Sequence, residues 1–274
     1  MAVVGTALPT YNEVTAKVIT PINTCTFVVR SDGRFLTSSE ENYVPFVVPA
    51  QLEIVDRLQR QYEKLCRLEG VSKSVLALIT GPPGSSKSDI CRILACRYPK
   101  STLFLRYSPT TPGCNFYQIA RRTASHESPT IVIIDEFDKV LDAVHSKNQA
   151  TSTVSGRGGG YLIPDVSSKS DLVELLDGFS RMNNIFVIFT SNRPVDWFRG
   201  AREHDGEDYS YAIRDARMHY VLELSVPDDV DRQVIIQGAM KKYSLEEVDV
   251  DRVELERARS VAEIDNFMRR CKLC

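Results

Sequence analysis

Residues 81–88 restrict the possible folds of this chain more than any other segment. They read Gly-Pro-Pro-Gly-Ser-Ser-Lys-Ser, they follow an apolar run at residues 75–79, and a helical pattern begins at Lys87. Small residues let backbone N–H groups close around phosphate oxygens, and the N-terminus of the following helix contributes the positive end of its dipole. The segment therefore predicts a strand, a phosphate-binding loop and a helix, in that order.

This loop contains two side chains with a specific expected role and one unusual residue. Lys87 can reach the β and γ phosphates of a nucleotide, and the hydroxyl of Ser88 can bind Mg²⁺. Ser86 stands where glycine usually precedes the lysine, and a side chain at positive φ costs about 1–2 kcal/mol, which would weaken nucleotide binding without abolishing it. The alternative is a glycine-rich turn without a ligand, and the flanking strand and helix argue against it. The candidate nucleotide-binding residues are Gly81, Pro82, Pro83, Gly84, Ser85, Ser86, Lys87 and Ser88.

Apolar runs bounded by turn residues alternate with helical patterns along the middle of the chain. The runs lie at residues 75–79, 103–105, 131–134, 185–189 and 220–224. The helical patterns lie at 87–96, 116–124 and 171–179, and beyond Pro227 at 230–243 and 261–268. Repeated alternation of strand and helix predicts a parallel sheet that is covered on both faces. The expected fold class is α/β, a three-layer parallel sheet followed by a small C-terminal α-helical lid.

These patterns divide the chain into three parts. Residues 1–44 are an N-terminal extension, in which a Ser-Asp-Gly turn between two apolar segments predicts a hairpin at residues 26–36. Residues 45–228 are the α/β nucleotide-binding domain, and residues 229–274 are the helical lid.

A pair of acidic residues follows one of the buried strands. Residues 131–138 read Ile-Val-Ile-Ile-Asp-Glu-Phe-Asp, so the acids emerge at the C-terminal end of the strand, where open α/β sheets bind their ligands. Asp135 can hold Mg²⁺, and Glu136 can act as general base on the water that attacks the γ phosphate. Acids that cap a following helix are the alternative, but the phosphate-binding loop upstream favours the catalytic role.

Three further polar residues extend the candidate site. Asn192 follows the apolar strand at 185–189 and can orient the attacking water, although a simple strand-ending turn would also place a polar residue there. Arg214 and Arg217 are three apart, so they share one face of a helix. They are either surface charge or arginines that reach the γ phosphate bound to a neighbouring subunit.

Taken together, these motifs resemble those of the AAA+ ATPases, and the resemblance covers residues 45–274. The matching segments are Walker A at 81–88, Walker B at 131–136, sensor 1 at Asn192, the arginine-finger region at 214–217, the helix before sensor 1 at 171–178 and the lid segment at 260–264. Within the AAA branch, the chain looks most like the subfamily of the mitochondrial chaperone that translocates the folded Rieske subunit. Residues 46–49 and the Ser-x-Ala-Glu-Ile sequence of the lid carry that likeness.

The resemblance implies ATP and Mg²⁺ as ligands and a homo-oligomeric ring of six or seven subunits. It also implies that a protein substrate passes loops at residues 110–117 and 145–168. Phe116 and Tyr117 could grip a polypeptide, but Phe116 equally fits a core helix. We expect no counterpart of the membrane anchor and N-terminal domain of the Rieske chaperone, so its substrate is not carried over.

The overall composition sets weaker limits on function. The formal net charge is -2, which gives no sign of a general bias toward nucleic acid or an acidic membrane surface. No apolar run reaches the roughly 20 residues of a transmembrane helix, so we expect no membrane anchor and a cytoplasmic or nuclear location. Two other functions stay open: a DNA-directed AAA+ motor, such as a helicase loader or packaging ATPase, and a nucleotide-dependent scaffold that rarely hydrolyses ATP.

Overall fold

A computed structural model describes residues 20–30, 33–43, 49–98, 100–123, 128–146, 154–155, 161–199, 209–214, 217–245, 255, 258 and 260–273. The strands are β1 (Thr20–Arg30), β2 (Gly33–Tyr43), β3 (Ser74–Thr80), β4 (Thr102–Leu105), β5 (Thr130–Ile134), β6 (Val154–Ser155), β7 (Tyr161–Leu162), β8 (Ile185–Ser191) and β9 (Tyr220–Glu223). The helices are α1 (Pro49–Cys66), α2 (Asp89–Arg97), α3 (Phe116–Thr123), α4 (Phe137–His145), α5 (Lys169–Ser180), α6 (Val195–Phe198), a 3-10 turn (Ser210–Ala212), α7 (Asp229–Tyr243) and α8 (Val261–Leu273).

Seven of the strands form one sheet in the order β2-β1-β4-β5-β8-β3-β9. All neighbours in this sheet are parallel except β1 and β2, which pair antiparallel. The five predicted strand runs correspond to β3, β4, β5, β8 and β9. The prediction of an α/β P-loop fold with a largely parallel sheet is therefore confirmed.

Alternating residues of strand β3, which lies between β8 and β9, face two separate apolar layers. Leu76 and Leu78 belong to the core beneath α4 and α5, whereas Ala77 and Ile79 belong to the core beneath α1 and α2. This alternation follows from the period of two along a strand, and it explains why β3 is buried at every position. A third cluster joins α7 and α8.

The antiparallel pair β1–β2 extends the main sheet. Arg30 lies opposite Gly33, and Asn23 of β1 pairs with Thr102 of β4. The strands are eleven residues each, longer than the hairpin that the sequence suggests. Ser31 and Asp32 of the expected turn lie outside the described residues. None of the helices in the described part of the chain combines the length and apolar character needed to cross a membrane.

Candidate functional site

The glycine-rich loop after β3 is closely packed between Leu224, which follows β9, and the start of α8. Gly81 has φ of +152°, and a Cβ atom there would lie 2.5 Å from the carbonyl oxygen of Leu224. Gly84 has φ of +78°, and a Cβ atom there would lie 2.8 Å from Ser260 Oγ. The Gly84 carbonyl also accepts a hydrogen bond from the N–H of Ala262 at 3.1 Å. The conformation and packing of the loop therefore require glycine at both positions.

Ser86 adopts the left-handed conformation that its position in the motif suggests. Its φ is 56°, in the region where a side chain costs about 1–2 kcal/mol. The carbonyl of Ser86 accepts hydrogen bonds from Gln51 Nε2 at 2.8 Å and from the Asp89 N–H at 3.1 Å. Gln51 was not predicted as a site residue, because its signal in the sequence is a single polar residue on the apolar face of α1.

Lys87 is buried inside the loop. Its ammonium donates hydrogen bonds to the carbonyl oxygens of Gly81 at 2.9 Å and Pro82 at 2.8 Å. Burial lowers the pKa of Lys87, and the carboxylate of Asp135 partly opposes this shift. The motif predicts phosphate oxygens as the partners of this ammonium, so a bound nucleotide would replace the two loop carbonyls.

The predicted magnesium ligands lie together at the C-terminal edge of the sheet. Ser88 Oγ donates to Asp135 Oδ1 at 2.9 Å, and Thr190 Oγ1 donates to the same oxygen at 2.7 Å. A hydroxyl and a carboxylate are oxygen ligands of the kind that Mg²⁺ prefers, so these residues fit the ion. Thr190 was not predicted as a site residue; it is the second-last residue of the buried strand β8, which pairs with the strand that Asp135 follows.

Glu136 begins α4 in an unusual backbone conformation. Its φ of 54° is left-handed, and its half-exposed carboxylate pairs with Lys139 Nζ on the next turn of the helix. Two positions further on, Asp138 is buried and accepts a hydrogen bond from Ser191 Oγ at 2.6 Å. The exposed Asn192 directly follows Ser191 at the end of β8, which pairs with β5.

The two candidate arginines do not share an exposed helical face, so that expectation is wrong. The 3-10 turn ends at Ala212, and Arg214 is exposed. Arg217 turns inward because Asp177 of α5 accepts from its Nε at 2.9 Å and the Tyr211 carbonyl accepts from Nη1 at 2.6 Å. Asp215 and Ala216 lie outside the described residues.

The two aromatic residues at the start of α3 have different surroundings. Phe116 packs edge-on against Phe179, with ring centroids 4.8 Å apart, whereas Tyr117 is 69% exposed. Asp165 fixes this end of the helix, because it accepts hydrogen bonds from Tyr107 Oη at 2.8 Å and the Phe116 N–H at 2.6 Å. Burial raises the pKa of Asp165. Only Tyr117 of the aromatic pair is therefore available to a partner.

Comparison with known proteins adds a family and several relatives. Residues 77–202 match the model described as ATPase family associated with various cellular activities (AAA). The chain is 28% identical over 186 residues to the proteasome-activating nucleotidase of Methanococcus maripaludis, covering 64% of this chain and 39% of that protein. It is 27% identical over 237 residues to the 26S proteasome regulatory subunit 6A of Schizosaccharomyces pombe, covering 84% of this chain and 46% of that protein.

A third relative is the ATP-dependent zinc metalloprotease FtsH of Haemophilus influenzae. The identity is 30% over 217 residues, covering 75% of this chain and 29% of that protein. The chain thus spans less than half the length of these relatives.

Proposed function

We propose that this chain, which carries an ATPase domain of the AAA family, binds Mg·ATP between the subunits of a homo-oligomeric ring. Hydrolysis of the ATP then drives the remodelling or translocation of a protein partner. The domain places the chain among the ATP hydrolases, as its motifs predict. The single observation that carries the proposal is the meeting of Lys87, Ser88 and Asp135 at one edge of the sheet. We further propose residues 45–228 as the nucleotide-binding domain and 229–274 as its lid.

In this proposal the loop at residues 81–88 binds the phosphates. Lys87 exchanges its carbonyl partners for β and γ phosphate oxygens, and Ser88 and Asp135 hold the Mg²⁺ ion. Bound Mg²⁺ supplies positive charge that offsets the charge of the phosphate oxygens. Thr190 keeps the Asp135 carboxylate in one orientation through its 2.7 Å hydrogen bond.

Glu136, Asn192 and Arg214 then act on the hydrolytic step. Glu136 accepts a proton from the attacking water once its carboxylate leaves Lys139, and the Asn192 amide orients that water. The exposed Arg214 reaches the γ phosphate of the neighbouring subunit, where it stabilises the charge of the transition state. A ring of six or seven subunits would supply one such arginine to every site.

A protein is the partner that the observations favour over nucleic acid. Tyr117 presents an aromatic side chain that is 69% exposed. The relatives are named as proteasome activators or regulators and as a metalloprotease. The net charge of -2 does not favour a DNA-directed motor. Ser86 favours a slowly hydrolysing scaffold, but the presence of Asp135, Glu136 and Asn192 together argues against one.

We also propose that, within the AAA branch, the chain is most similar to the Rieske-translocating subfamily. Its support is the lid segment at residues 260–264, which contacts Gly84 through the N–H of Ala262. Residues 46–48, the other part of that likeness, lie outside the described residues, as does much of the expected loop at 145–168.

The experiment compares ATP binding and hydrolysis in wild type, Lys87→Ala and Glu136→Gln. Lys87→Ala should lose most of its affinity for a fluorescent ATP analogue at fixed Mg²⁺, because the charge facing the phosphates is gone. Glu136→Gln should bind normally but hydrolyse about a hundredfold more slowly or worse, because an amide cannot act as the base. Unchanged affinity in Lys87→Ala would refute the proposed site.

Three additions to the hydrolysis assay separate the functions. Stimulation by an unfolded model protein, but not by single-stranded or duplex DNA, supports the protein remodeller. Stimulation by DNA alone would assign the chain to the DNA-directed motors. ATP binding with negligible turnover in every condition would assign it to the scaffolds. Light scattering with a slowly hydrolysed ATP analogue measures the number of subunits in the ring.

A further inference from the structure

The buried face of α1 contains one polar side chain where apolar residues are expected. The buried residues of this helix are Gln51, Ile54, Val55, Leu58, Tyr62 and Leu65. Gln51 is only 1% exposed, so its amide is removed from water. Burial of a primary amide is unfavourable unless hydrogen bonds replace those to water. A leucine at this position would continue the apolar face, so the amide needs a specific reason.

The amide of Gln51 contacts the one residue of the phosphate-binding loop that departs from the motif. Gln51 Nε2 donates to the Ser86 carbonyl oxygen at 2.8 Å, across 35 residues of sequence. That oxygen also accepts from the Asp89 N–H at 3.1 Å, so two donors fix its direction. In a trans peptide the next N–H points the opposite way, so the same two bonds orient the N–H of Lys87.

This contact coincides with the strained backbone of the loop. Ser86 has φ of 56°, a conformation that glycine adopts readily and serine does not. Without an external hydrogen bond, Ser86 would tend to return to negative φ and would turn the following N–H away. The Asp89 bond alone belongs to the first turn of the helix and is available whichever residue precedes Lys87.

We propose that Gln51 is a positioning residue that holds Ser86 in the left-handed conformation and so keeps the loop competent for nucleotide without a glycine. The inference rests on the proposed function, because it concerns the same phosphate-binding loop. Gln51 and Ser86 then act as a pair. A glycine at position 86 would adopt the left-handed conformation unaided, so a buried amide at position 51 would not be needed.

The test is a double-mutant cycle on ATP affinity with Gln51→Met, Ser86→Gly and the combined variant. Methionine matches the length of glutamine but donates no hydrogen bond. In the wild-type background, Gln51→Met should weaken binding of a fluorescent ATP analogue about tenfold, the effect of one net buried hydrogen bond. In the Ser86→Gly background the same change should cost about twofold or less, because the two residues are coupled.

Two controls separate positioning from ordinary core packing. Gln61→Met changes a glutamine of the same helix away from the loop and should leave affinity unchanged in both backgrounds. Thermal unfolding without nucleotide measures the contribution of Gln51 to the core. Gln51→Leu, which continues the apolar face and has no hydrogen-bond donor, replaces Gln51→Met if that variant folds poorly. If Gln51→Met lowers Tm by the same amount whether residue 86 is serine or glycine, Gln51 contributes only core packing and the proposal is overturned.

The outcomes also distinguish a failure of the role proposed for Gln51 from a failure of the proposed ATP-binding function. An equal loss of affinity in both backgrounds, or no loss in either, overturns the role of Gln51. If Lys87→Ala abolishes binding in the same assay, the proposed function survives that result. If Lys87→Ala binds normally, the phosphate-binding loop itself is wrongly assigned.

Discussion

Arg214→Ala and Arg217→Ala should have opposite effects on stability and catalysis, although the two residues are only three positions apart. Arg217 is held inside the subunit by Asp177 and the Tyr211 carbonyl, and only 17% of its side chain is exposed. Arg214 is exposed. We therefore expect Arg217 to maintain the local structure and Arg214 to act on the neighbouring subunit.

The contacts of Arg217 allow an estimate of its contribution to the free energy of unfolding. A hydrogen bond between a charged donor and a buried acceptor contributes about 1.5–3 kcal/mol. The pair with Asp177 adds about 0–1 kcal/mol, because the side chain of Asp177 is 40% exposed. Arg217→Ala should therefore lower the free energy of unfolding by about 1.5–4 kcal/mol, which at about 2–4 °C per kcal/mol lowers Tm by about 3–16 °C.

Arg214→Ala should leave the free energy of unfolding within about 0.5 kcal/mol of wild type, as surface substitutions usually do. Its hydrolysis rate in the assembled ring should fall about a thousandfold or more, the effect of removing an arginine finger. Calorimetry measures the first quantity and steady-state phosphate release the second, with ATP affinity as a check that each subunit keeps its own site. Arg217→Lys is the matched control, because lysine keeps the charge but loses the two-pronged geometry.

Mixing variants tests whether Arg214 acts between subunits. Arg214→Ala mixed with Glu136→Gln should recover partial activity, because some interfaces then join an intact carboxylate to an intact arginine. If Arg217→Ala is stable but has lost hydrolysis, and Arg214→Ala is fully active, then Arg217 is the catalytic arginine and Arg214 is not. Mixed oligomers that stay as inactive as both parents would remove Arg214 from the catalytic site.

Two further predictions concern stability. Gly81→Ala should lower the free energy of unfolding by about 2–4 kcal/mol, because the new Cβ must displace the Leu224 carbonyl oxygen 2.5 Å away. Gly70→Ala is the control, since φ there is +71° but a new Cβ would have no neighbouring atom within 4 Å. It should show only the backbone strain of about 1–2 kcal/mol in the same denaturant titration. Burial lowers the pKa of His219, whose Nδ1 accepts from the Leu76 N–H, so stability is full above the ordinary histidine pKa of about 6.5 and falls as the pH drops below it. His219→Gln should flatten that dependence between about pH 7 and 5, and an unchanged slope would assign it to other groups.

The sequence was most informative where function is encoded locally. The strand, loop and helix around Lys87 were predictable because the motif itself requires small residues between a buried strand and a helix N-terminus. The acids after β5 were predictable for a similar reason, since ligand-binding side chains follow buried parallel strands. The order of these motifs predicted a resemblance to the AAA+ ATPases, and the match of residues 77–202 to the AAA family model agrees with it.

Contacts between distant segments were not predictable from local patterns. Residues 38–43 read Ser-Ser-Glu-Glu-Asn-Tyr and show no alternation of apolar residues, so the full length of β2 and the pairing of β1 with β4 left no signal. The inward turn of Arg217 depends on Asp177, 40 residues away. Spacing of three along the chain suggested a shared helical face, but the position of α5 decides where this arginine points.

Strand β8, which ends just before Asn192, also fixes two of the three acids that follow its neighbour β5. Thr190 bonds to Asp135, and Ser191 bonds to the buried Asp138, across 55 and 53 residues respectively. Both bonds cross from the end of β8 to the end of β5 or the start of α4. A metal-ligand carboxylate benefits from such fixed geometry, because ion binding then costs little rearrangement.

Glu136, which lies between these two fixed acids, is held differently. Its partner is Lys139, and both side chains of this pair are more than half exposed, so the pair contributes at most about 1 kcal/mol. Separating the pair therefore costs little compared with moving Asp135, whose oxygen accepts two hydrogen bonds. A general base must move toward the attacking water when nucleotide binds, whereas a metal ligand must not. The unequal restraint of the two neighbouring carboxylates thus matches the two roles proposed for them.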